Sequence, residues 1–150
     1  MNRIACRIEQ ALEYKDMFVE RGIEHLQSRT RAVAHATVQM AYELDAPAII
    51  TPTDSGYTTK VVSRYRPKAA IVAYTPHEEV VRQLNLRWGV YPILGTMWHD
   101  VDEMITNSAA AAVKNDFVKR GDITIITSGI KLQSRTTVGN NTNMIRVYTI

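Results

Sequence analysis

From Ala48 onward, short apolar runs alternate with amphipathic stretches. Ala48–Thr53, Ala70–Thr75, Val90–Gly95, Ile123–Ser128 and Met144–Thr149 read as strands, and Gly56–Tyr65, Pro76–Arg87 and His99–Phe117 as the helices between them. Continuous apolar runs separated by amphipathic helices predict βαβ units, in which a parallel sheet is covered on both faces. The last two strands break this rule. The stretch from Gly129 to Asn143 is rich in Ser, Thr, Asn and Gly and carries no helical pattern. Parallel neighbours need a crossover element, so the final strand is expected to be antiparallel or to lie at an edge. A loop of that length within a compact domain is more often functional or disordered than a plain connector.

Two helices precede the first strand. Ser28–Leu44 places Val33, Ala36, Thr37, Met40, Ala41 and Leu44 at three-and-four spacing, and Asp45-Ala46-Pro47 stops it. Asn2–Phe18 has a narrower stripe of Ile4, Ile8 and Leu12, joined by Ala5, Ala11 and Met17, and Gly22 ends it. This helix either packs on the side of the domain or belongs to a neighbouring one. Two boundaries carry clear signals. Thr75-Pro76-His77-Glu78 reads as an N-cap, a proline at the first helical position and a capping-box glutamate. Lys119-Arg120-Gly121-Asp122 places cations at a helix end and then a turn glycine.

Composition narrows the class without naming a function. The 150 residues, 45% apolar and 22% charged, suit one globular domain. The net charge of +3 comes from scattered Lys and Arg, with no basic stripe interleaved with aromatics, so no nucleic-acid partner is expected. A single cysteine, Cys6, excludes a disulfide framework and suits a cytoplasmic setting. The N-terminal residues lack the continuous apolar core of a signal peptide or membrane span, and no membrane partner is expected.

The richest candidate chemistry is the turn after the first strand. Thr53, Ser55 and Thr58 bring hydroxyls, Gly56 allows a close backbone approach, and a helix N-terminus begins there. Such a place suits a phosphate, since unpaired N–H groups and the helix dipole both favour an anion. The plainer reading is that Asp54 or Ser55 simply caps the helix, and Asp54 also opposes a phosphate. The loop with Lys131 and Arg135 could reach the same sheet edge or remain a solvated connector. Trp88, in register with Val81 and Leu84, reads as core; Trp98, in a connector, could stack on a sugar, cover a ligand or sit at a subunit contact. His25, His35, His77 and His99 form no metal-ligand spacing, Ser55 lacks the flanking glycines of a hydrolase elbow, and Cys6 has no local activating partner. No complete catalytic set is visible.

The runs Tyr65-Arg66-Pro67-Lys68, Ile71-Val72-Ala73, Thr75-Pro76 with Glu78 and Glu79, and Trp88-Gly89-Val90-Tyr91-Pro92 resemble the C-terminal domain of pyruvate kinase. So do Lys119-Arg120-Gly121-Asp122, Ile125-Ile126-Thr127-Ser128-Gly129 and Thr142-Asn143-Met144-Ile145-Arg146-Val147. The resemblance implies a three-layer α/β/α domain over residues 24–150. Its five-stranded, mostly parallel sheet has the last strand antiparallel. Residues 1–23, with Met1, Ile4-Ala5, Glu9, Leu12 and Tyr14, resemble the last helix of the catalytic barrel and its linker.

The resemblance also implies a role. The chain would be an allosteric and subunit-interface domain of an oligomeric enzyme, a tetramer in the parent. It would not be catalytic by itself, because the parts that hold phosphoenolpyruvate, ADP, magnesium and potassium lie upstream in the family. The turn Thr53, Ser55, Gly56, Tyr57 and Thr58 would hold the phosphate of a sugar-phosphate or nucleotide effector. Trp98 and the last loop, with Arg135, Asn140 and Thr142, would complete the site. Three departures bear on the ligand. Asp54 stands where effector-responsive members often carry a phosphate-supporting residue. Met104 stands where some members place an arginine for a second phosphate, and Asn140 replaces a common glycine. A one-phosphate ligand fits these departures better than a bisphosphate. A free-standing phosphate-ligand module and a pure interaction domain of the same fold remain as alternatives.

Overall fold

The computed structural model describes residues 2–22, 28–129 and 142–150. Six helices are described, α1 (Asn2–Gln10), α2 (Tyr14–Gly22), α3 (Arg29–Glu43), α4 (Tyr57–Arg64), α5 (Glu78–Leu84) and α6 (Val101–Lys114). They alternate with β1 (Ala48–Pro52), β2 (Ala70–Thr75), β3 (Val90–Leu94), β4 (Ile123–Ser128) and β5 (Met144–Thr149). The sheet runs β3-β2-β1-β4-β5. Its first four strands are parallel, and β5 pairs antiparallel with β4, from Ser128 opposite Met144 to Ile123 opposite Thr149. The expected α/β class, strand number and antiparallel last strand are all present.

Strand β1 is central and buried along its whole length, which is why its sequence reads as a run rather than an alternation. Ile49 faces one core layer with Ile71, Ala73, Val90 and Ile125. That layer is roofed by Ala34 and Val38 of α3, Val61 and Val62 of α4, and Val80 and Leu84 of α5. Ala48 and Ile50 face the opposite layer with Val72 and Ile126, under Met104, Ile105, Ala109 and Ala112 of α6. Three helices thus cover one face and one covers the other, the expected three-layer arrangement. Each fully buried isoleucine contributes roughly 1.5–3 kcal/mol of transfer free energy, so this double-sided core is the main source of cohesion.

Several local expectations need correcting. The single helix over Asn2–Phe18 is two helices, broken at residues 11–13. The break lets Phe18 reach the core, where it stacks on His35 at 4.7 Å and meets Tyr42 at 5.5 Å and Tyr65 at 6.0 Å. Ile4 and Ile8 remain exposed. On α3 the buried face is Thr30, Ala34, Thr37, Val38 and Ala41, so Thr37 and Ala41 are buried as expected while Val33, Ala36 and Met40 are only half-buried and Leu44 is exposed. The helix faces both α4 and the sheet, so its small residues and threonines turn inward. Helix α5 begins later than expected, with His77 as N-cap; the Thr75 hydroxyl accepts the His77 N–H at 3.4 Å. Trp88 is only half-buried, against Tyr14 at 5.9 Å and beneath the Arg66 guanidinium at 5.7 Å. Helix α5 ends at Leu84, so the helical register that placed Trp88 beside Val81 and Leu84 no longer applies.

Candidate functional site

The carboxyl ends of the parallel strands gather the hydroxyls that the sequence singles out. Just past β1, the Thr53 N–H donates to the Tyr74 carbonyl at 2.9 Å, continuing the ladder by one residue. The Thr53 hydroxyl then accepts the Gly56 N–H at 2.9 Å, which closes the turn. Gly56 is the N-cap of α4 with φ of 73°, a left-handed conformation that side chains oppose. A Cβ there would also stand 3.2 Å from the Leu84 and Val80 side chains. Both constraints explain a glycine at this position.

Helix α4 begins at Tyr57, so the N–H groups of its first turn find no carbonyl one turn back within the helix. Ser55 and Tyr57 are exposed and Thr53 and Thr58 are buried. The Thr59 hydroxyl bonds Thr51 on β1 at 2.8 Å and so ties the helix to the strand below. The Thr58 hydroxyl meets the Thr142 hydroxyl at 2.7 Å. Thr142 also donates its N–H to the Thr30 hydroxyl on α3 at 3.2 Å. Two sequence-selected residues, Thr58 and Thr142, are therefore in contact across the domain. Arg135, Asn140 and Lys131 lie outside the described residues.

Trp98 is at the same end of the sheet but on the α6 side. It packs against the layer that includes Met104 and lies 6.0 Å from the Tyr74 ring. Tyr74 in turn is pinned by its hydroxyl, which accepts the Thr96 N–H at 3.0 Å and meets the Thr96 hydroxyl at 3.2 Å. The tryptophan thus stands on Tyr74, whose backbone carbonyl holds Thr53. Just beyond it, α6 is capped by Asp100, which accepts the Glu103 N–H at 2.7 Å. Glu103 accepts both the His99 N–H at 2.8 Å and the His99 Nδ1 at 3.1 Å. These bonds, the backbone one foremost, hold the Glu103 carboxyl below its usual pKa of 4.5.

Met104 is buried, and the Ser128 hydroxyl lies 3.6 Å from its sulfur while donating to the Pro52 carbonyl at 2.9 Å. No charge stands at that position. Among the described residues no group of three or more His, Cys, Asp or Glu is placed to hold a metal ion. No helix among them is long and apolar enough to cross a membrane. Sequence reasoning missed Thr30 and Tyr74. Tyr74 reads as part of an apolar strand, and Thr30 precedes the stripe assigned to α3. Nothing in the sequence marks Thr30, because its burial and its bond to Thr142 are set by tertiary packing.

A profile of the family described as "Pyruvate kinase, alpha/beta domain" matches residues 31–148. The chain belongs to that family. The pyruvate kinase of Geobacillus stearothermophilus is 40% identical over all 150 residues, which are 25% of that protein. Those of Sporosarcina psychrophila and Clostridium acetobutylicum are each 35% identical over the same 150 residues, 25% and 31% of their lengths. The chain therefore spans about a quarter to a third of the curated relatives it matches.

Proposed function

We propose that this chain is the effector-binding and subunit-interface domain of a pyruvate kinase, the enzyme that converts phosphoenolpyruvate and ADP to pyruvate and ATP. On this reading it is not catalytic alone. Its partner is the rest of a longer chain, assembled as a homo-oligomer in the cytoplasm, and magnesium and potassium belong to that remainder. Residues 1–23 are then barrel helix and linker; the exposed Ile4 and Ile8 give that segment an apolar stripe for the catalytic part to cover.

The observation that carries the reading is the Thr58–Thr142 hydroxyl contact at the first turn of α4. It brings the start of a helix dipole and the end of the last loop to one place, next to exposed Ser55. Hydroxyls and first-turn N–H groups are neutral donors that suit a phosphate without demanding a counter-charge. Gly56 serves the turn through Thr53 and Thr58 is paired with Thr142, so the ligand would be met by Ser55 and the first-turn amides, with the remaining proton of the Thr58–Thr142 pair beside them. Buried Met104 offers no second cation, so a monophosphate of a sugar or nucleoside is favoured over a bisphosphate. Trp98 would cover the ligand from the α6 side, and Arg135 and Asn140 would close over it.

Thermal unfolding with sulfate, ribose 5-phosphate, glucose 6-phosphate, AMP and fructose 1,6-bisphosphate tests this. At one hundred times the dissociation constant a ligand adds about 2.7 kcal/mol to stability. Ser55→Glu should abolish the response and leave the oligomeric state unchanged. A folded protein that shifts with none of the five would falsify effector binding. One observation favours an interaction role without a ligand: the Gly56 amide is already committed to Thr53. In that case Ser55→Glu changes nothing, and the oligomeric state alone reports the function.

A further inference from the structure

Three threonines from distant parts of the chain meet at the edge of the candidate site. Thr30 is in the first turn of α3, Thr58 in the first turn of α4, and Thr142 just ahead of β5. All three are buried, at 2%, 5% and 1% exposure. Buried polar groups are costly unless paired, at about 1–3 kcal/mol for each one left unsatisfied. Here Thr142 supplies the pairing on both sides, bonding α3 through its N–H and α4 through its hydroxyl. The Thr142 N–H donates to Thr30 Oγ1, and Thr142 Oγ1 shares a proton with Thr58 Oγ1.

The donor count at this point is informative. Three hydroxyls carry three protons, and the Thr58–Thr142 pair consumes one of them. Thr30 uses a lone pair in its bond to Thr142, and no carboxylate takes part in the chain of bonds. Thr30 lies inside the first turn of its helix, two residues past the N-cap Ser28. Its hydroxyl is spent on Thr142, 112 residues away.

We infer that Thr30 is a positioning residue of the candidate phosphate site: it fixes the Thr142 amide and thereby sets the Thr142 hydroxyl against Thr58. The inference rests on the effector reading given above and names a residue outside the turn and the last loop. Removing the Thr30 hydroxyl leaves a buried N–H without an acceptor. Thr142 must then move or admit water, and in either case the hydroxyl pair at the α4 terminus loses its geometry. A displacement of about 1 Å at a binding group is enough to change affinity strongly. Binding is thus made to depend on the placement of α3, which roofs the core.

The test uses the full-length protein and whichever of the five anions above binds the wild type most tightly. Thr30→Val keeps the shape and removes the hydroxyl; Thr30→Ser keeps the hydroxyl. Thr30→Val should weaken the measured Kd at least tenfold and speed exchange of the Thr142 amide, while Thr30→Ser stays within about threefold of wild type in both. Where Thr30→Val does not fold, Thr30→Ala takes its place. A merely structural role would lower Tm and leave Kd unchanged, and that result overturns the inference. Failure of Thr30→Ser to restore affinity overturns it as well. If the wild type binds none of the five, the effector reading falls and takes this one with it, which separates the two failures.

Discussion

Gly95 follows β3, and its N–H donates to the Thr75 carbonyl at 2.9 Å. Its φ lies outside the left-handed range, so an alanine there costs nothing in backbone strain. What it meets is the Tyr74 ring. An added Cβ falls within the van der Waals envelope of the ring carbons and the hydroxyl. Tyr74 is only 4% exposed and has little room to retreat. Overpacking of this kind costs about 1–3 kcal/mol when neighbours can shift. If the ring swings away instead, its two hydroxyl contacts with Thr96 go, at about 1 kcal/mol each. The packing against Trp98 goes too, at about 0.5–1.5 kcal/mol. Gly95→Ala should therefore destabilise the domain by about 3 kcal/mol, which in a chain of this size lowers Tm by about 6–12 °C.

The steric origin is checked by a double-mutant cycle with Tyr74→Ala, read by urea unfolding. With the ring gone, the added methyl has nothing to strike, and Gly95→Ala should cost under about 0.5 kcal/mol in that background. A Trp88→Phe background leaves Trp98 as the sole tryptophan, and its emission should shift in Gly95→Ala as the neighbouring Tyr74 ring leaves. Additive costs, with no coupling between positions 74 and 95, would refute the reasoning. The same result would detach Trp98 from the turn, because Tyr74 is what joins them.

Two groups away from that contact carry further predictions. The Tyr42 hydroxyl is shielded from solvent and lies near the Lys68 backbone, without a hydrogen bond of full geometry among the described residues, so Tyr42→Phe should change stability by no more than about 1 kcal/mol in either direction in urea unfolding; a larger loss would show a strong bond to the hydroxyl. Burial raises the Tyr42 pKa above 10.0, with the Lys68 backbone opposing and Tyr14 adding to the shift. A tyrosine that resists ionisation in the folded state stabilises it below the unfolded pKa and loses that contribution as pH rises through the folded value. Alkaline unfolding above about pH 10 should accordingly be less steep in Tyr42→Phe. Glu103 has the opposite sign: its pKa is lowered by the His99 backbone N–H and then by the His99 side chain. Its contribution is present above 4.5 and is lost as pH falls through the lower folded value. An NMR titration should find Glu103 below 4.5 in the wild type and only part of the way back in His99→Ala, because the backbone bond survives.

The central strands β1, β2 and β4 were legible because they are buried nearly throughout, and burial writes itself into consecutive apolar residues such as Ala48-Ile49-Ile50. The N-terminal break was not. Nothing at Ala11-Leu12-Glu13 resembles a helix stop, and the stripe of Ile4, Ile8 and Leu12 continues across it. What decides the break is Phe18 entering the aromatic group of His35, Tyr42 and Tyr65, a tertiary demand that overrides local propensity. Trp88 failed for a related reason, since a helical register extends only as far as its helix. The turn from Thr53 to Thr58 could be read locally, because strand end, glycine and helix start are consecutive. The bond from Thr142 to Thr30 could not, because an amide meeting a hydroxyl 112 residues away leaves no period in the chain.

That contrast bears on how strongly the site could bind. Thr58 and Thr142 already satisfy one another, and Thr53 already satisfies Gly56. The ligand-free arrangement thus bears little penalty for its buried hydroxyls, and a phosphate gains only the difference between its bonds and those it displaces or shares. A site of this type binds modestly unless the ligand also orders something else, since a ligand shifts an equilibrium only by its difference in affinity between two states. Thr142 is held from α3 through Thr30 and from α4 through Thr58, so a ligand that engages Thr142 would be joined to both helices through it. Discrimination between ligands should then follow their contacts beyond the phosphate, those with Trp98 among them. Comparing a sugar monophosphate with inorganic phosphate at the same site would measure that difference directly.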